Sequence, residues 1–241
     1  MAELKTVHYY VARPQAARWY NNWLLLGLGL GIVVSMLSVG FYSSTLNAPH
    51  NTLKRLILEG EAGARGYNSY NRGSMRCAKS NNKPLDLTKM TVGEIRRYQS
   101  MPSCTTEKLL AVGHYQIVPE TLEHAVRTLN IPDSARFTPQ LQDKIFALYL
   151  AKEKQPAIRR WICTGNGLYQ ASHAVAGEWA IFKTPYTNRG VYDGKGNNKA
   201  RISAHRVKKA LVRARVQYVM LTQAGTPSNK AYAMALGVNQ L

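Results

Sequence analysis

The chain opens with a basic leader and then loses its charges. No Asp, Glu, Lys or Arg occurs between Arg18 and Lys54, and the centre of that stretch, Trp23 to Phe41, is mostly Leu, Gly, Val, Ile and Met. Its length, about 19 residues, is close to the roughly 20 that a membrane-spanning helix needs. Trp19, Tyr20 and Trp23 flank one end and Phe41 and Tyr42 the other, as an aromatic belt does. The pattern predicts one transmembrane or signal-anchor helix over residues 21–43. The leader, 1–20, holds Lys5, Arg13 and Arg18 against Glu3, so the positive-inside rule places it in the cytoplasm and the rest beyond the bacterial inner membrane. A cleaved signal peptide would want a shorter apolar core and small residues before the cut, for which "SVG" ahead of Phe41 is a weak match. Four glycines in "LGLGLGIVVSMLSVG" leave the run less apolar than most anchors, which leaves the permanence of insertion open.

Residues 44–51, "STLNAPHN", read as a linker punctuated by Pro49. Helical periodicity follows. A helix starts near Thr52, with Leu53, Leu56 and Ile57 on one face, and ends at the breaker "GARG". Tyr67 to Pro84 is rich in Asn, Gly and Ser and reads as loop or short hairpin. In "LTKMTVGEIRRYQSM", Thr91 and Glu94 form a capping box ahead of Ile95 and Tyr98. Further helices begin at Pro119 and at Thr138-Pro139, the second with Leu141, Ile145, Leu148 and Tyr149 inward. "QASHAVAGEWAIF" is a small-residue helix suited to burial. "SAHRVKKALVRARVQYVMLT" sets a stripe of Val207, Leu211, Ala214 and Tyr218 among basic residues. These elements predict a mainly α domain over 52–222 with a small loop or hairpin region, and a polar, frayed tail over 223–241.

Charge narrows the partners. The 241 residues hold 32 Lys and Arg against 13 Asp and Glu, a formal net charge of +19, which calls for an anionic partner such as nucleic acid, lipid head groups or a cell-wall polymer. No zinc-ligand spacing or nucleic-acid signature is present, so no specific nucleic acid is expected, and nothing calls for a metal or cofactor. Cys77, Cys104 and Cys163 would sit in an oxidising compartment. A Cys77–Cys104 bridge would contribute about 3.5 kcal/mol in the loop-entropy model, but three cysteines leave one over and the sequence does not say which.

In so acid-poor a chain, "LEGEAGARGYNSYNRG" places Glu59 and Glu61 two residues apart at a helix end. There the negative pole of the helix and apolar neighbours both raise a carboxyl pKa, which suits a general acid. The loop beside it supplies aromatic faces and amide donors, the groups that bind sugars. The bland alternative is a pair of solvated helix residues.

The order of several motifs then carries a resemblance. A glutamate ending a helix, "GYNSYNRG", "LTKMTVGEI", "AVGHYQIVPETL", "QD" and "GEWA" follow one another as in the phage lambda-type endolysin group of the lysozyme superfamily, over about Thr52 to Val216. The resemblance implies an α+β lysozyme-like catalytic domain that cleaves peptidoglycan glycan strands between N-acetylmuramic acid and N-acetylglucosamine. It implies a lytic transglycosylase, in which one glutamate protonates the leaving oxygen and then helps the muramic C6 hydroxyl attack C1. That glutamate maps onto Glu61, six residues before Tyr67, with Glu59 as second choice because "AGAR" is a longer turn than usual. Tyr67, Asn68, Ser69, His114, Tyr115 and Gln116 are the candidate glycan contacts, and Tyr192 and Asn198 are further ones. His114 stands where the family has arginine.

A hydrolysing glycosidase would need a second carboxylate about 5–5.5 Å or 6.5–9.5 Å away. Glu94 is a cap partner, Glu120 and Glu123 lie in a first helical turn, Glu178 sits in a packing helix, and Asp143 reads as solvated or paired. Three readings stand: a transglycosylase, a hydrolytic lysozyme, and an inactive anchored cell-wall-binding or assembly protein. The first two would use Glu61, with Glu59 expected to raise its pKa further. A place in phage lysis, in a virion or in a secretion machine is compatible with each.

Overall fold

A computed structural model describes residues 52–72, 84–102, 105, 107–195 and 198–239. The predicted leader, anchor and linker and the Cys77–Cys104 pair lie outside the described residues. Among the described residues no helix is long and apolar enough to cross a membrane.

Thr52 caps the first helix, its Oγ1 accepting from the Arg55 N–H, and α1 (Leu53–Ile57) buries Leu53, Leu56 and Ile57. The backbone then widens into a π-helical turn, Leu58–Ala62, and stops at Gly63, whose φ of 54° only glycine adopts freely. A 3-10 segment, Gly63–Asn68, leads into β1 (Tyr70–Asn71). This strand pairs antiparallel with β2 (Ala111–Val112), Tyr70 opposite Val112, so the expected hairpin region is closed by a distant strand instead. Between the strands, α2 (Val92–Ser100) starts at the predicted capping box: Thr91 Oγ1 accepts from the Glu94 N–H and Glu94 Oε2 from the Thr91 N–H.

The further helices are α3 (Pro119–Thr128), α4 (Pro139–Ile145, running on as a π-helical segment to Lys154), α5 (Pro156–Thr164), α6 (Leu168–Glu178), α7 (Ala204–Gln223) and α8 (Ser228–Ala235), with a long loop between α6 and α7. Thr138 and Ser203 cap α4 and α7 through their hydroxyls, and proline takes the first position of α3, α4 and α5. The domain is therefore mainly α. Its core runs from Leu53 and Ile57 through Phe146 and Leu150 to Ile158, Val175 and Leu211.

Two sequence expectations need correction. Helix α5 went unanticipated, although Ile158 and Ile162 lie one turn apart and Gly165 closes the helix in the left-handed conformation. The tail is not frayed. Helix α8 buries Ala231, Tyr232, Ala233 and Ala235, Leu236 and Val238 follow them inside, and the Tyr232 hydroxyl donates to the Ala151 carbonyl at 2.7 Å. The packed domain thus extends past residue 222. Alanine-rich segments bury well but give little hydrophobic contrast, which hid this helix.

Candidate active site

Glu61 lies in the π-helical turn after α1 and borders a cleft of about 360 Å³. Its Oε1 accepts the Ile181 N–H at 3.1 Å. That approach depends on Gly60, because a Cβ there would fall 2.4 Å from Ile181 Cγ1. Burial raises the Glu61 pKa above the ordinary carboxyl value, and the Ile181 and Ala180 amides and the Arg201 charge pull part of it back. Among the described residues no cation pairs directly with its carboxylate. Glu61 is thus a carboxyl group disposed to hold its proton beside an open space, the state a general acid needs.

Glu59 has another fate. It is exposed and clamped in a two-pronged ion pair, Arg206 Nη1 to Oε1 at 2.8 Å and Nη2 to Oε2 at 2.7 Å, which lowers its pKa. The expectation that Glu59 drives up the pKa of Glu61 is corrected: burial does so, while Arg206 neutralises Glu59.

Facing the same cleft are Gln116, Glu178, Trp179, Tyr192 and Asn198. Glu178, which ends α6, is tied at 2.7 Å to Lys154 Nζ and at 2.8 Å to Gln155 Nε2, and Lys154 also donates to Thr121 Oγ1. Tyr192 donates to the Gly177 carbonyl at 2.6 Å. Its loop is pinned by Asp193, whose two oxygens accept the amides of Ala200 and Gly190.

Of the predicted glycan contacts, Gln116 and Tyr115 border this space. They belong to a tight turn, Gly113–Gln116, closed by reciprocal backbone bonds between Val112 and Ile117. Gln116 takes a left-handed φ of 49° and donates from Nε2 to the Gly113 carbonyl at 2.9 Å. Tyr115 is buried; its hydroxyl donates to Asp143, its ring stacks on Phe146 at 4.4 Å, and its carbonyl accepts the Trp179 indole N–H. It shapes the wall and leaves no free donor.

Tyr67, Asn68, Ser69 and His114 are not among the residues lining the cleft. Tyr67 donates to Asp143, Asn68 Oδ1 accepts the Thr88 N–H, and the buried Ser69 accepts the Gly113 N–H on its carbonyl. His114 is buried between the rings of Tyr67 and Tyr115, with Nε2 3.3 Å from the Lys54 carbonyl and Nδ1 unpartnered. Burial lowers its pKa. The side chains of Tyr67, Asn68 and His114 and the backbone of Ser69 hold the loops around the cleft.

The residues that hold them are Gln142 and Asp143 of α4, both buried. Gln142 accepts the His114 N–H on Oε1 and donates to the carbonyls of Tyr67 and Phe137. Asp143 Oδ1 accepts the hydroxyls of Tyr67 at 2.9 Å and Tyr115 at 2.6 Å, and Oδ2 pairs with Lys54 at 2.7 Å. Two sequence signals marked this pair, polar side chains inside a helix and the "QD" of the motif order, and Asp143 carried the paired half of its two readings. Lys154 and Glu178 gave no signal of sharing a cleft with Glu61, since their sequence distance from it is large.

Comparison with protein-family profiles, with curated proteins and with solved structures finds no match to the chain.

Proposed function

We propose that this chain is a membrane-tethered enzyme that cleaves peptidoglycan glycan strands between N-acetylmuramic acid and N-acetylglucosamine, as a lytic transglycosylase with Glu61 as its single acid/base. The observation that carries this reading is a half-buried carboxyl at the edge of a cleft, paired with no cation among the described residues and with its pKa raised by desolvation. Glu61 gives its proton to the glycosidic oxygen as the bond to C1 breaks. The resulting carboxylate takes the proton of the muramic C6 hydroxyl as O6 bonds to C1, leaving a 1,6-anhydro end and consuming no water.

A mainly helical domain with its acid at the end of the first helix and a short antiparallel strand pair accords with a lysozyme-like α+β fold, as does the order of motifs. The charge-free run over 21–43 supports an inner-membrane anchor with a cytoplasmic N-terminus and a periplasmic domain. Such an enzyme fits phage lysis, a virion or a secretion machine.

One observation favours a second reading. Glu178 borders the same cleft, and a hydrolytic lysozyme needs a second carboxylate. Its pairing with Lys154 and Gln155 weighs against a free nucleophile or base. Muropeptides released from purified peptidoglycan by the full chain and by Glu61→Gln separate the cases by mass. Products one water lighter than hydrolysed sugars, absent with the variant, fit the transglycosylase. Hydrated products fit the hydrolase, and no release by the folded wild type leaves the anchored binding protein.

A further inference from the structure

The Asp143 carboxylate collects donors from three separate segments. Lys54 comes from α1, seven residues before Glu61 on the same helical run; Tyr67 comes from the 3-10 segment; Tyr115 comes from the turn that borders the cleft. Both carboxylate oxygens are thereby committed and Asp143 is not among the residues lining the cleft, so it has no nucleophile's role. Next to it, Gln142 ties the backbone of the same turn, at His114, to the backbone at Tyr67. The fit is tight enough to dictate glycine at 113: a Cβ there would lie 2.2 Å from Gln142 Oε1.

A cluster of this kind is a poor device for stability alone. Drawing a carboxylate and an ammonium largely out of water offsets most of what their attraction returns, and apolar side chains of similar volume do as well or better. What the cluster supplies is geometry: the 3-10 segment and the turn already meet through the β1–β2 pair and the Gly113 N–H on the Ser69 carbonyl, and fixed bond lengths at Asp143 join α1, which shares no ladder with them, to both. We infer that Asp143 is a positioning residue, a single carboxylate that clamps the helix bearing Glu61 to the Gly113–Gln116 turn and so sets the distance between acid and cleft wall. This rests on the reading of Glu61 as the acid, for a carboxyl that must meet one glycosidic oxygen tolerates little displacement.

The test uses the full chain in detergent, with Asp143→Asn, Tyr115→Phe, their double variant and Glu61→Gln, each assayed on purified peptidoglycan at a temperature where all are folded. Asp143→Asn is expected to lower turnover between about tenfold and a hundredfold with KM held within about twofold, because bound substrate meets a displaced acid. Tyr115→Phe, which removes one hydroxyl from the core, is expected to lose turnover in the same direction, and the double variant to be no worse than Asp143→Asn, as members of one linkage are. Turnover of either single variant equal to wild type, or losses that multiply in the double variant, would overturn the inference.

Amide exchange supplies an arm that does not depend on activity. Asp143→Asn is expected to speed exchange together in residues 54–62 and 113–116; loosening confined to α4 would overturn the clamp. If wild type and Glu61→Gln release equal amounts of murein, the proposed function falls, and the exchange result alone then decides whether Asp143 joins the two segments.

Discussion

Residues 52–118 and residues 119–239 meet their backbone requirements by different means. Among the described residues of the first region the longest α-helix has nine residues and each strand has two, so many amides and carbonyls find no ladder. Side chains take over. Gln142 serves the His114 amide and the Tyr67 carbonyl, Gln99 donates to the carbonyls of Leu110 and Ile117, and Asn68 accepts from Thr88. In the second region helices of up to twenty residues pair their own backbones and pack through Ile158, Ile162, Val175, Val207 and Leu211. A buried backbone group must be paired somewhere, and where a helix does not do it, a side chain fixed at one point does. The irregular region can thus hold an acid at a chosen place, and the helical region gives it something rigid to lean on.

The sharpest way to break this contrast is at Glu61. Glu61→Gln is expected to cut murein release by about a hundredfold to ten-thousandfold, the range for losing general acid catalysis, while Glu59→Gln keeps wild-type release. Muropeptide yields from the two variants check it.

The next largest effect falls where the regions meet. Phe146 stacks on Tyr115 and meets Trp179 edge-on at 5.9 Å, so Phe146→Ala should cost about 3–5 kcal/mol in denaturant unfolding. Gly113→Ala combines a left-handed φ of 75° with the contact on Gln142 and should cost about 1–3 kcal/mol, read the same way.

The pH response distinguishes the buried groups by sign. His114 has a lowered pKa, so the unfolded chain binds more protons just below the ordinary histidine value of 6.5, and its contribution to stability is lost as pH falls through that window. Glu61 has a raised pKa, so the folded chain binds more protons above the ordinary 4.5, and its contribution declines as pH rises. Thermal melts between pH 4 and pH 8 should therefore show His114→Gln flattening the acid limb and Glu61→Gln flattening the rise-in-pH loss. The smallest effect is expected at the surface: Arg206→Ala should cost about 0.2–1 kcal/mol, as exposed ion pairs do.

How much of this was legible follows the same divide. Capped, periodic helices announced themselves: Thr91 with Glu94, Thr138 with Pro139, and the Val207, Leu211 and Ala214 stripe all lie where the pattern put them. Local signals were enough because a cap and its helix are neighbours in sequence. Helix α8 escaped because alanine and a lone tyrosine give little contrast. In the site, the two glutamates could be singled out, but not what separates them, since Arg206 and Ile181 arrive from more than a hundred residues away. The glycan-binding candidates drew on loop composition and on motif order, and neither tells a side chain that faces a cleft from one that braces the loop behind it. Tyr67 and His114 are of the second kind.

The Leu236 carbonyl accepts the Lys54 amide, and a Cβ on Gly237 would lie within 2.9 Å of the Thr52 side chain. The helix leading to Glu61 is therefore seated by residues that leave the ribosome about 180 positions later. During synthesis the early segment must wait, without this partner, until those residues are made, and its closure spans a correspondingly long loop. Completion of this site is in that sense a matter of timing: a nascent chain holds the acid long before it holds the place where the acid belongs.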